Sequence, residues 1–368
     1  MKETEQLYYQ SVTVKVGSNV LTRPDGMLDY QRIEHLTGQI SDLHKRGVRV
    51  ILVSSGAVAA GRSMVKDFPS KDPVSKRQLL SSVGQVKLVN LYSELFGKHG
   101  LTCAQVLVTK QDFSTREHYL NMKNCLSVLL ENGVIPVVNE NDAVSVTALM
   151  FTDNDELAGM ISSMMNTDAL FILSNVDGIY TGRPGDEGTE LVTEIGQERK
   201  DLESYISASR SDFGRGGMLT KCRVAQKTAA SGTAVHIANG TRENIIGELA
   251  QNPEKVSHTR FTTNGPRPAI KKWMAYSEGF AKAEVVVNAG AREVLTGPKA
   301  RSLLLAGIVD FRGHFKKGDL IRIRDEEGHL IGIGRAQYDR SVADRHWNDE
   351  RYRPLIHYDY LFIYPNAV

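Results

Sequence analysis

Two polar clusters lie close together in the chain and carry the residue types that could do chemistry. An apolar, strand-like run, Val134 to Val138, ends abruptly in Asn139, Glu140, Asn141 and Asp142. Shortly after, Asp153, Asn154 and Asp155 open a helical pattern. A strand, a polar loop and a helix start in that order form a ligand site at the carboxyl ends of open α/β sheets. Paired carboxylates of this kind could hold a metal ion or act as a general acid and base. They could equally hold an amino group and order nearby lysines. Solvated loop polarity is the bland alternative, and their place at strand ends weighs against it.

Other loops could contribute. Lys15 sits within the first strand-like run, beside its end at Gly17. A lysine in a buried strand is costly unless a partner or a function holds it there. Gly17 would let the backbone come close to an anion. Ser54, Ser55 and Gly56 follow the second strand and could cradle a carboxylate or phosphate at a helix start, or be no more than a cap. Gly214 to Lys221 is a glycine-rich run into a helix without the spacing of a Walker A loop. It suits a polyphosphate tail and equally a plain flexible loop. Ser174, Asn175 and the turn Asp177-Gly178 follow a further strand and could border a nucleotide. None of the 10 histidines stands in a metal or triad pattern, and His236 reads as a satisfied core residue.

The elements that position these residues follow from periodicity. Short β-branched runs at 12–16, 48–53, 101–108, 134–138, 169–173 and 233–238 alternate with helical spacing at 30–46, 79–96, 117–130, 156–165 and 221–230. Strands that are apolar on both faces belong to a parallel sheet between helix layers. The rhythm changes after about residue 260. Residues 261–268 read as linker, and short strands punctuated by Gly290, Gly307, Gly318 and Gly328 follow. Boundaries of 1–262, 263–276 for the linker and 277–368 are expected.

The chain has 368 residues, 41% hydrophobic and 24% charged, with a net charge of +2. That length favours two domains, and the mild charge argues for neither nucleic acid nor membrane. The 3 cysteines form no CxxC, which points to a reducing cytoplasm. No stretch approaches the roughly 20 apolar residues of a membrane span.

Taken together, Val14 to Ser18, Val53 to Ala57, Gln78 to Gln85, Val138 to Val144, Asp153 to Asp155 and Gly216 to Lys221 resemble the amino acid kinase family. The likeness is to members that phosphorylate an amino acid and carry a C-terminal PUA domain, whose strands 311–319 and 332–338 resemble. It covers nearly the whole chain. It implies a three-layer αβα sandwich on a mainly parallel sheet, followed by a small β-rich PUA barrel. It also implies transfer of the γ-phosphoryl group of ATP to the side-chain carboxylate of L-glutamate, the first step of proline synthesis. Lys15 and Lys221 would flank the phosphoryl group and Asp155 would hold them. Ser55, Gly56, Asp142 and Asn154 would bind glutamate, with Asp142 on its ammonium group. Gly17, Gly56 and Gly217 would offer backbone N–H groups. Ser174, Asn175, Arg215, Gly216, Gly217, Met218, Leu219 and Thr220 would line the ATP side. Magnesium would ride on ATP, with no side-chain metal ligands. Arg215 and Ser174 stand where the family commonly has threonine.

The resemblance further implies proline feedback and a homo-oligomer, dimer or tetramer. Related kinases of aspartate, acetylglutamate or carbamate are the rival enzymes, and acidic Asp142 argues against an acetylated amine. RNA binding by the second domain is the reading from another class. Its basic residues Arg312, Lys316, Lys317, Arg322 and Arg324 are interleaved with acids, which disfavours a phosphate track.

Overall fold

A computed structural model describes residues 7–65, 72–144, 151, 153–196, 217–263, 265, 269–297, 299, 301–347, 349 and 352–364. The chain divides into two units, Met1–Asn264 and Gly265–Val368.

The first unit is built on β1 (Ser11–Val16), β2 (Arg49–Ser54), β3 (Cys103–Val108), β4 (Ile135–Glu140), β5 (Ala169–Ser174), β8 (Glu194–Ile195), β9 (Ala234–Asn239) and β10 (Thr259–Phe261). A separate two-stranded ribbon pairs β6 (Ile179–Tyr180) with β7 (Leu191–Val192). The large sheet runs in the order β3-β4-β2-β1-β5-β9-β10-β8. Its strands are parallel except where β10 meets β9. Every residue of β1, β4 and β5 is buried, as strands covered by helices on both faces should be. Edge strand β3 instead exposes Gln105 and Leu107. Val12, Val14, Phe171, Leu36, Ile40 and Phe96 lie in one apolar cluster that joins the sheet to its helices.

The sheet strands extend past their apolar cores into polar residues. β4 runs on through Asn139 and Glu140, and β5 through Ser174. The parallel ladder continues there, with Glu140 still in register with Val108. That extension carries chemistry-bearing side chains to the carboxyl edge.

The helix expected over 79–96 spans Pro73–Lys98. Its first turn is polar and shows no apolar stripe, so periodicity alone misses it. Asp72 caps it by accepting from Ser75 N at 2.8 Å, and Pro73 takes the first helical position, where no amide donor is needed. The small-residue run becomes the helix Ala57–Arg62, which lies against Pro73–Lys98. A Cβ on Gly84 would overlap the carbonyl of Ala57. A Cβ on Gly61 would overlap that of Leu80. The two backbones therefore touch only because both positions are glycine.

His236 is a satisfied core residue, as expected. Its Nε2 lies 2.7 Å from Tyr9 Oη and its Nδ1 lies 2.7 Å from His258 Nε2. Burial, then His258, hold its pKa well below the ordinary histidine value.

The second unit contains β11 (Ala283–Val287), β12 (Ile308–Arg312), β13 (Leu320–Asp325), β14 (Leu330–Arg335) and β15 (Leu361–Ile363), in the order β12-β11-β13-β14-β15. Val285, Ile321, Ile323, Ile331 and Leu355 form its core. The stretch expected as linker is corrected in part. Residues Ala269–Ala275 form a helix whose Trp273 and Met274 are buried and which contacts β14 and β15. Turn formers at 261–268 suggested a linker, but apolar burial claims the residues that follow.

Candidate active site

The carboxyl ends of the central strands converge on one cavity of about 1270 Å³, large enough for an amino acid and a nucleotide together. β1 delivers Lys15, β2 is followed by Ser55 and Gly56, β4 delivers Asn139, Glu140 and then Asp142, and β5 delivers Ser174 and Asn175. The helix Asn154–Met165 points its first turn at the same space. Asp153 caps that helix, accepting from Asp155 N at 3.0 Å and Glu156 N at 3.1 Å.

Asp155 is fully buried and bridges the two lysines. Lys15 Nζ is 2.6 Å from Oδ1 and Lys221 Nζ is 2.7 Å from Oδ2. Burial alone would raise its pKa, but the two ammonium groups outweigh it and hold the carboxyl below the usual aspartate value. Lys15 thus has the partner that a buried strand lysine requires. Lys221 comes from the first turn of the helix Met218–Ala230, with Gly217 at its N-cap. The cavity thus gathers two cations on one anion.

Asp153 stands beside this group. Burial, then the neighbouring Asp155 charge, push its pKa up to about 6. Its Oδ2 is buried with no hydrogen-bond partner among the described residues.

Asn154 ties two strand ends together. Its Nδ2 lies 3.0 Å from Ser55 Oγ, 3.0 Å from Asn139 Oδ1 and 3.2 Å from the Ser54 carbonyl. Asn139 Nδ2 in turn donates to Gln85 Oε1 at 2.9 Å, which fastens the helix Pro73–Lys98 to the end of β4.

Asp142 faces Arg77 of that helix, with Nη2 at 2.6 Å from Oδ1. The same nitrogen lies 3.6 Å from Glu140 Oε2. Burial, offset by a hydrogen bond from Phe151 N, leaves Glu140 with a pKa pushed up to about 6.

Of the residues singled out from sequence, Lys15, Gly17, Ser55, Gly56, Asp142, Asn154, Asp155, Ser174, Asn175, Met218 and Lys221 line the cavity. Gly217, Leu219 and Thr220 occupy the adjoining cap and first helical turn without lining it. Arg215 and Gly216 lie outside the described residues. One expectation is corrected. The Gly17 N–H donates to Leu173 O at 3.3 Å, so it is engaged within the sheet. A Cβ at Gly17 would sit 3.4 Å from both Lys15 Nζ and Leu173 O, an ordinary van der Waals contact.

Sequence reading missed Arg77. The signal was present, because Arg77 is eight residues before Gln85 and shares its helix face. It also missed the cavity wall at Gly182 and Pro184, just past the loop after β5 that was legible as a possible nucleotide border. Among the described residues, one group has metal-ligand spacing: Asp325, Glu327 and His329 in the second unit. The Arg292 guanidinium already approaches Asp325 at 3.5 Å and Glu327 at 3.9 Å, which marks an ion-pair network. Among those residues, no helix is long and apolar enough to cross a membrane.

Known proteins share both units. The amino acid kinase family matches residues 11–239, and the PUA domain matches residues 283–345. A glutamate 5-kinase of Bacteroides thetaiotaomicron is 52% identical over 356 residues, spanning 96% of this chain and 99% of that protein. One from Chlorobaculum tepidum is 46% identical, spanning 97% and 98%. In fold alone, the carbamate kinase from Giardia lamblia solved with AMP-PNP is similar, at 17% identity and a TM-score of 0.50, covering 70% of this chain and 99% of that one.

Proposed function

The chain belongs to the glutamate 5-kinases of the amino acid kinase family, and from that premise we propose that it moves the γ-phosphoryl group of ATP onto the side-chain carboxylate of L-glutamate. The products are L-glutamyl 5-phosphate and ADP, and the reaction opens proline synthesis in the cytoplasm. The observation that carries this reading is the Lys15–Asp155–Lys221 bridge at the mouth of four strand ends.

A carboxylate oxygen of glutamate attacks the γ-phosphorus in line, and the bond to the β,γ-bridging oxygen breaks as ADP leaves. The nucleophile is already ionised near neutral pH, so no general base is needed. This is why a site with no histidine among its described lining residues suits the reaction. Phosphoryl transfer depends on position and on neutralising charge over the phosphoryl oxygens. Lys15 and Lys221 supply that charge, and Asp155 aims both ammonium groups. Asp142 receives the substrate ammonium. Ser55, Gly56 and Asn154 hold the body of the amino acid. Ser174, Asn175 and the turn from Gly217 to Lys221, with Arg215 and Gly216 before it, take the nucleotide.

Magnesium bound to the ATP phosphates would neutralise charge shared between the β- and γ-phosphoryl groups and keep most of its waters. The residues fit that limited demand. Asp155 already holds two lysines, and the buried Asp153 Oδ2 would accept from one of the ion's waters.

Proline as a feedback inhibitor at the glutamate pocket and assembly into a dimer or tetramer belong to the same reading. A proline-dependent rise in glutamate KM and sedimentation velocity test them. RNA binding by the PUA domain is not favoured, because Arg322 and Arg324 are both spent on Glu284, at 3.1 and 2.8 Å. A salt-dependent affinity for tRNA would reverse that judgement.

The reading is tested by incubating the protein with ATP, Mg²⁺, L-glutamate and hydroxylamine. A glutamyl hydroxamate is expected, and its absence with folded protein would sink the assignment. Turnover of aspartate, acetylglutamate or carbamate at a higher kcat/KM would redirect it to a sister activity.

A further inference from the structure

The helix Pro73–Lys98 is fastened to the end of β4 and the loop after it at three points. Gln85 meets Asn139 at 2.9 Å, Gln78 Nε2 donates to the Ala143 carbonyl at 3.0 Å, and Arg77 pairs with Asp142 at 2.6 Å. The first two use neutral amides. The third places a guanidinium and a carboxylate, both lining the cavity, in direct contact. Arg77 is 29% exposed at its side chain and Asp142 10%, so the pair is reachable from the cavity while largely out of water.

An amino acid presents both an ammonium and a carboxylate on one carbon. A site that selects for it needs an anion and a cation within a few ångströms of each other. Asp142 is the anion. The cations lining the cavity are Lys15 and Lys221, held by Asp155, Arg23, paired with Asp25 at 2.7 Å, and Arg62, Lys76 and Arg77. Arg77 touches Asp142 at 2.6 Å, and a guanidinium matches a carboxylate with two parallel donors.

We propose that the Arg77–Asp142 pair is the receptor for the zwitterionic end of the substrate, with Arg77 binding the α-carboxylate and setting specificity for it. This rests on the glutamate kinase reading above. The amino acid inserts into the ion pair, its ammonium on Asp142 and its α-carboxylate on Arg77. One pair is replaced by two with no change in net charge. Before substrate arrives, Arg77 keeps Asp142 from being a partly buried, uncompensated anion. Glu140, 3.6 Å from the same guanidinium nitrogen, gives Arg77 a second anchor when it lets go of Asp142.

The test compares L-glutamate with 4-aminobutyrate, which keeps the amine and the reacting carboxylate but lacks the α-carboxylate. ADP release is measured for the unaltered chain, Arg77→Gln and Arg77→Lys. In Arg77→Gln, kcat/KM for glutamate should fall about 10- to 100-fold, the range expected for a lost charged hydrogen bond, almost all of it in KM. Activity on 4-aminobutyrate should not fall, so the preference for glutamate shrinks by the same factor. Arg77→Lys should recover part of it, since one donor replaces two. If 4-aminobutyrate turns over too slowly, its competitive Ki replaces kcat/KM, and a Ki unchanged by the substitution supports the proposal. Equal losses on both compounds, leaving the preference intact, would overturn it and assign Arg77 to holding the loop. Should Arg77→Gln fail to fold, the preference ratio of Arg77→Lys decides in the same way. An unaltered chain that does not phosphorylate glutamate refutes the function instead, and the two failures are thereby distinct.

Discussion

The cavity holds two groups of ion pairs built on opposite plans. In the first, one fully buried carboxylate, Asp155, is shared by two ammonium groups, Lys15 and Lys221, at 2.6 and 2.7 Å. In the second, one guanidinium, Arg77, is shared unequally by two carboxylates, Asp142 at 2.6 Å and Glu140 at 3.6 Å. The first has spare positive charge and rigid backing from β1 and two helices. The second has spare negative charge and lies partly open to solvent. An excess of positive charge on fixed supports suits an anionic transition state, which gains most from groups that need not move. A strained balance between one cation and two anions suits a ligand that carries both signs. On the proposed reading, the cavity separates the task of stabilising a reaction from the task of choosing a substrate.

The difference can be broken experimentally, most severely at Asp155. Asp155→Asn should lower kcat about 10³-fold, because both lysines lose their aim. It should also cost about 3 to 5 kcal/mol of stability in urea titration, since two largely buried ammonium groups would lose the anion they share. Next in size, Lys221→Ala should lower kcat about 10²-fold while the glutamate KM stays within about threefold. A change confined to KM would move Lys221 from the first group to the second. Gly84→Ala acts on the support of the second group alone. Its methyl would push the helix Pro73–Lys98 off Ala57–Arg62, costing about 3 kcal/mol and raising the glutamate KM with little effect on the ATP KM.

The smallest effect concerns pH. Burial pushes the Glu140 carboxyl up to about 6 in the folded chain, against an ordinary value of 4.5. Its protonated form is the one the fold prefers, so its contribution to stability is complete below pH 4.5 and is lost as pH rises through about 6. Glu140→Gln, which keeps the acceptor for Phe151 N, should therefore gain stability relative to the unaltered chain between pH 4.5 and 7.5. The gain is about 2 kcal/mol, read from thermal midpoints at each pH. Asp155 titrates the other way. Its carboxyl is held low, so the stability it brings is present above pH 3.8 and is lost only as pH falls below that value. A Glu140→Gln difference that does not vary with pH would remove the contrast between the two groups.

Much of the first group was legible in the sequence, and the reason is physical. Lys15 is a charge within an otherwise apolar strand, and Asp155 follows a helix-capping acid, so both break local expectations in a way that invites a partner. The parallel sheet was legible because strands covered on both faces lose the alternation of side chains. The second group was half legible. Asp142 stood out after an apolar strand, but Arg77 sits in a polar helical turn that looks like solvated surface until Asp72 and Pro73 are recognised as its start. Gly84 could not be read at all, since its necessity comes from the Ala57 carbonyl, 27 positions earlier in the chain. The Ala269–Ala275 helix was hidden by the turn formers before it, whereas its burial depends on contacts with β14 and β15.

The central claim is that one group performs the phosphoryl transfer and the other chooses the amino acid. Steady-state glutamate saturation of Lys221→Ala beside Arg77→Gln, at saturating ATP and Mg²⁺, tests it most directly. The account predicts a collapse of kcat at nearly constant KM for the first, and a raised KM at nearly constant kcat for the second. The same pattern in both variants would contradict it.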